Sequence, residues 1–149
     1  MISIFFQNIS YTVRCMPYYD NNQNPSWRVD YFAKGIAHEY AHCFVNPTVE
    51  AHKHILKEYD TFFKSHMNMS NAYNVDYAVM NEYWVRAFAI RFMEQNQHIF
   101  PNFDITEEYR FQKESFIYIE EFVELLKKFE QTKLSFEDFY LDTMKRFQF

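Results

Sequence analysis

Two histidines stand four residues apart in the stretch HEYAH, His38 and His42, and Glu39 follows the first directly. On an α-helix, residues four apart share a face, so both imidazoles can address one metal ion. Glu39 falls on the adjoining face, in reach of a water on that ion rather than of the ion itself. Two neutral imidazole ligands beside a carboxylate base make up the H-E-x-x-H arrangement of zinc peptidases. Taken alone the pattern is moderately specific, since shuffling this composition produces it in roughly 2% of sequences. The competing reading is a pair of hydrogen-bonded core histidines.

A catalytic zinc takes three protein ligands and leaves its fourth position to water. The third ligand does not follow in the metzincin manner, because Val45 and Thr48 occupy the positions where glycine and histidine would stand. A later segment, VMNEYWVRAFAIRF over 79–92, supplies Glu82 among Val79, Val85 and Ala89. A carboxylate in an apolar helix is costly to bury alone, and a metal ion would account for it. The alternative is an ordinary ion pair with Arg86, four residues on. Arg86, Tyr77 and Tyr73 are the candidates to stabilise an oxyanion. Arg86 can equally fix the Glu82 carboxylate from behind, and that role is favoured.

HEYAHCFVNP followed by MNEYWVRA resembles the gluzincin branch of the zincin metallopeptidases. It also resembles an uncharacterised bacterial domain-of-unknown-function family with the same Asn-Pro helix end and Glu-x-x-x-Arg-Ala helix. The likeness spans about residues 30–95. It implies a Zn2+ cofactor at His38, His42 and Glu82, Glu39 as general base, and hydrolysis of a peptide or protein substrate. Three features depart from the gluzincin pattern. Forty residues separate His42 from Glu82 (82 − 42 = 40), more than in familiar gluzincins. Arg86 stands where thermolysin-like sequences place an aspartate. Only 37 residues precede His38, little chain for the usual zincin sheet.

The elements that must position these residues are mainly helical. One glycine and four prolines in 149 residues leave little material for tight turns. The expectation is a mainly α (α+β), zincin-like single domain over residues 1–149, or a version shortened at its N-terminus. Residues 2–6 and 10–15 are β-prone, and 17–27 reads as a polar loop. Asp30 would cap a helix through Phe44, stopped by Asn46-Pro47. Thr48 would cap a second helix to about His66, with Ile55, Leu56, Tyr59, Phe62 and Phe63 inside. A connection over 67–74, a helix over 75–95 and a break at FPNFD (100–104) follow. Residues 113–130 form an amphipathic helix with Ile119, Phe122, Val123 and Leu126 inside, and Ser135 opens the last, with Asp138 at the capping-box position. Gly35, the only glycine, lies a turn before His38 and suits either close helix packing or close approach of another backbone. Strand 10–15 is a candidate edge for aligning substrate.

Composition removes several functions. Hydrophobic residues at 48% and aromatics at 21% exclude a disordered chain. A formal charge of −5 without a basic stripe argues against nucleic acid. No apolar run approaches the ~18 residues of a membrane span. The start lacks the basic region and cleavage site of a signal peptide, which points to the cytoplasm unless the N-terminus is shortened. Cys15 and Cys43 read as buried thiols, and His52, His54, His66 and His98 as structural or exposed. Two other classes stay open: a non-catalytic helical metal-binding protein, or a protein-interaction module. A di-iron carboxylate site fails for want of a second E-x-x-H. A structural zinc would be closed by a fourth ligand, with His66 and His98 as candidates, whereas a catalytic one keeps an open position beside Glu39.

Overall fold

The Asn46-Pro47 pair does not end the first helix. In the computed structural model, which describes residues 2–6, 9–13, 18–19, 25–26, 28–65 and 76–146, α1 runs Val29–Ala51 with Pro47 inside it. An interior proline forfeits a backbone hydrogen bond and costs about 3 kcal/mol. Pro47 faces solvent, and the Thr48 hydroxyl donates to the Phe44 carbonyl at 3.0 Å. Val45 before the proline and Val49 after it are both fully buried. Each burial stabilises by about 1.5–3 kcal/mol, so tertiary packing carries the helix through. Thr48 is therefore not a cap. In place of the expected helix over 48–66 stand a 3-10 segment, Lys53–Tyr59, and a short α2, Asp60–Lys64. The apolar side holds nonetheless: Leu56 and Phe62 are buried, and Ile55, Tyr59 and Phe63 pack against the core.

The fold is mainly helical, as expected. Before α1, β1 (Ile2–Phe6) pairs antiparallel with β2 (Ile9–Val13), Ile2 opposite Val13. β3 (Tyr18–Tyr19) pairs with β4 (Pro25–Ser26) inside the segment read as loop. Cys15 and the 67–74 connection lie outside the described residues.

α3 (Asp76–Gln95) is the central element, packed against both α1 and α5 (Ile119–Phe129). α4 (Ile105–Lys113) was not anticipated; its start is fixed by Asp104, whose side chain accepts from the Glu107 N–H at 2.9 Å. A turn at Phe116, whose ring is buried, separates α4 from α5, so the helix expected from 113 begins at 119. Within α5 the expected residues, Ile119, Phe122, Val123 and Leu126, are buried. α6 (Phe136–Arg146) opens as expected: Ser135 Oγ accepts from the Asp138 N–H at 3.1 Å and donates to its carboxylate at 2.7 Å.

Candidate metal centre

α1 and α3 bring His38, His42 and Glu82 together. One ligand atom from each lies within 4.8 Å of the others. The two imidazoles, a turn apart on α1, meet Nε2 to Nε2 at 3.3 Å with their rings near perpendicular. From α3, Glu82 Oε1 lies 3.5 Å from His42 Nε2, and Oε2 3.9 Å from His38 Nε2. Ligands bonded at ~2.0–2.1 Å around a tetrahedral zinc stand ~3.3–3.4 Å apart, so the spacing nearly fits.

Protonation suits a metal as well. Burial, with the positive charge of nearby Arg86 and Lys34, pushes His38 down to about 3, which keeps its imidazole neutral. The side-chain amide oxygen of Asn46, Oδ1, can only accept, so His42 Nδ1–H donates to it at 2.9 Å. That bond puts the proton on Nδ1 and turns a bare Nε2 lone pair toward Glu82 and His38. Glu82 Oε2 is buried beside the Arg86 guanidinium, Nη2 at 2.9 Å, but makes no hydrogen bond among the described residues. Two imidazole nitrogens and a carboxylate are a donor set that a divalent cation satisfies.

Glu39 sits in mid-α1, half-buried, and its carboxylate has no hydrogen bond or ion pair among the described residues. Arg86 stands one turn from Glu82, its Nη2 2.9 Å from that carboxylate and its guanidinium over the Phe116 ring at 4.3 Å. Among the described residues Tyr77 makes no hydrogen bond or ion pair with the three ligand candidates. Its ring packs against the hydrophobic core with Lys53 Nζ 5.8 Å away. Tyr73 lies outside the described residues. Gly35 shares the face of His38 and His42, yet a Cβ there would meet nothing within 4 Å among those residues. Among the described residues, neither close packing nor a close backbone accounts for the glycine.

Four participants escaped the sequence reading. Asn46 was readable as the residue four after His42, but its proline neighbour cast it as a helix stop. Gln112, Glu108 and Lys34 extend the contacts of Arg86. Gln112 Oε1 accepts from Arg86 Nη1 at 2.9 Å, Gln112 Nε2 donates to Glu108 Oε1 at 2.7 Å, and Lys34 Nζ donates to Glu108 Oε2 at 2.8 Å. Nothing in α4's sequence reveals that Glu108 and Gln112 are buried.

His98 is exposed and stands apart from the ligand cluster; His66 is outside the described residues. His52 pairs with Glu137 at 2.6 Å, joining the end of α1 to α6. Cys43 is a free thiol. Among the described residues no helix is long and apolar enough to cross a membrane.

A mainly helical domain built around a His-His-Glu cluster is thus the class that fold and site define. Residues 27–145 match the family described as Domain of unknown function (DUF4932), and the chain belongs to that family. No curated protein and no solved structure matches it.

Proposed function

We propose that this protein is a zinc-dependent hydrolase of peptide or similar amide bonds, of the gluzincin type. One observation carries the reading: three metal-competent atoms converge across α1 and α3, and Glu39, next to His38 in the chain, has a carboxylate without a hydrogen bond or ion pair among the described residues. His38, His42 and Glu82 would hold the ion. The cluster contains three ligands and no fourth among the described residues, as a catalytic site requires and a closed structural site does not. When bound, zinc supplies a Lewis acid that polarises a carbonyl and lowers the pKa of water toward ~7. Glu39, without a partner among the described residues, would take a proton from the attacking water and return it to the departing amine. His42 is held in the ligating tautomer by Asn46. Arg86 would hold the Glu82 carboxylate in place, its Nη2 2.9 Å from Oε2.

Glu39→Gln tests the assignment. The variant should bind one zinc per chain as the parent does, while hydrolysis of a peptide library falls by at least about 10²-fold. Full activity in Glu39→Gln would defeat the mechanism.

A further inference from the structure

The polar contacts beside the site form a chain across three helices. From Glu82 they pass to Arg86 on α3, to Gln112 and Glu108 on α4, and to Lys34 on α1. Lys34 stands one turn before His38 on the helix that carries both imidazoles. The chain of contacts therefore runs from one side of the ligand cluster to the other.

Each link has a single workable direction. Gln112 offers its amide oxygen to a cation, Arg86, and its amide nitrogen to an anion, Glu108. Reversal would set oxygen against carboxylate and N–H against guanidinium. Arg86 is further confined by the Phe116 ring beneath it. Stability alone does not account for the arrangement. Glu108 is 5% exposed and Gln112 6%, and burying such groups costs about as much as their pairing returns, so well-packed apolar residues would serve a core at least as well. Apolar residues would not fix where the Glu82 carboxylate sits relative to α1.

We propose, building on the metal-centre reading above, that Lys34, Glu108 and Gln112 are positioning residues. Through Arg86 they hold Glu82 at the distance from His38 and His42 that a shared metal ion needs. α4 acts as the brace between the two ligand-bearing helices.

Zinc affinity, measured by competition with a chromophoric chelator, tests this in Lys34→Met and Lys34→Arg. If charge alone mattered, removing a cation near the site would tighten binding of a divalent ion. The chain of contacts predicts the opposite sign: about ten-fold or greater weakening in Lys34→Met and near-complete recovery in Lys34→Arg. Unchanged or tighter binding in Lys34→Met overturns the proposal. Should that variant fail to fold, Gln112→Met cuts the chain of contacts at its neutral link, with the same weakening expected and unchanged binding again fatal. A parent protein that binds no zinc would defeat the metal-centre reading by itself. The chain of contacts is then judged in the metal-free protein by the Arg86 Nε–H resonance in ¹⁵N NMR. A shift or broadening in Lys34→Met that Lys34→Arg restores supports it; a resonance that does not move overturns it.

Discussion

α3 borders two interiors of different character. Tyr83 and Trp84 turn into an aromatic one. Tyr83 stacks on Phe122 at 4.7 Å and meets Phe116 edge-on at 5.1 Å, while Trp84 meets Phe122 at 5.0 Å and Phe136 at 5.4 Å. Glu82 and Arg86 turn into a polar one, shared with His38, His42 and Gln112. Phe116 marks the boundary, with Tyr83 at its side and the Arg86 guanidinium over its face. On the aromatic side, polar atoms are incidental: Trp84 Nε1 and Tyr140 Oη make no hydrogen bond among the described residues. On the polar side nearly every contact has a direction, and the oxygen without a hydrogen bond, Glu82 Oε2, lies 2.9 Å from Arg86 Nη2 and 3.9 Å from His38 Nε2. Burial in the first interior is a matter of volume, and in the second a matter of geometry. The two should therefore respond differently to the same kind of damage.

The aromatic side should show the largest effect. Trp84→Ala removes a fully buried ring and should cost about 3–5 kcal/mol of unfolding free energy. The loss should be equal with and without zinc, as read by denaturant titration. A loss confined to the zinc-loaded protein would show that the two interiors are not separate. His42→Ala should do the reverse. At a free zinc concentration 100 times Kd, the parent gains about 2.7 kcal/mol, seen as a raised Tm, and the variant gains none. The metal-free proteins should melt close together. A zinc-induced rise surviving in His42→Ala would remove His42 from the ligand set.

The same contrast explains what was legible in the sequence. His38, His42 and Glu39 sit within one helical turn and a half, so their relation needs only the 3.6-residue period. Glu82 was readable because a lone carboxylate stands out in an apolar helix. The buried side of α5 and the Ser135–Asp138 cap were readable for the same local reason. Lys34, Glu108 and Gln112 were not, since each looks like a solvated helix residue until tertiary packing buries it. The continuation of α1 past Pro47 failed likewise: local chemistry says stop, and the burial of Val49 overrides it. The break between α4 and α5 depends on a buried Phe116 that has no period to announce it.

Asn46 should give a smaller effect on the polar side. Asn46→Ala removes the acceptor for His42 Nδ1–H and frees the ring to rotate or change tautomer. Zinc affinity should fall about 10- to 100-fold, as for other partners of metal-bound histidines. Asn46→Asp keeps an acceptor and should retain most of the affinity. Equal affinities in Asn46→Ala and the parent, by chelator competition, would mean that His42 is oriented by packing alone. The polar interior would then be less directional than its distances suggest.

The smallest effect is the most discriminating for the aromatic interior. Tyr140 is fully buried and its hydroxyl makes no hydrogen bond among the described residues; burial pushes its pKa up, so it stays a neutral phenol. Removing a buried hydroxyl without a partner leaves nothing behind to be desolvated, whereas removing one member of a pair strands the other. Tyr140→Phe should therefore be neutral or stabilising by up to about 1 kcal/mol, with zinc binding unchanged. Thermal unfolding of the metal-free protein checks this. Destabilisation beyond about 1 kcal/mol would mean that the hydroxyl has a partner after all. The aromatic interior would then be held partly by direction, as the metal centre is, and not by volume alone.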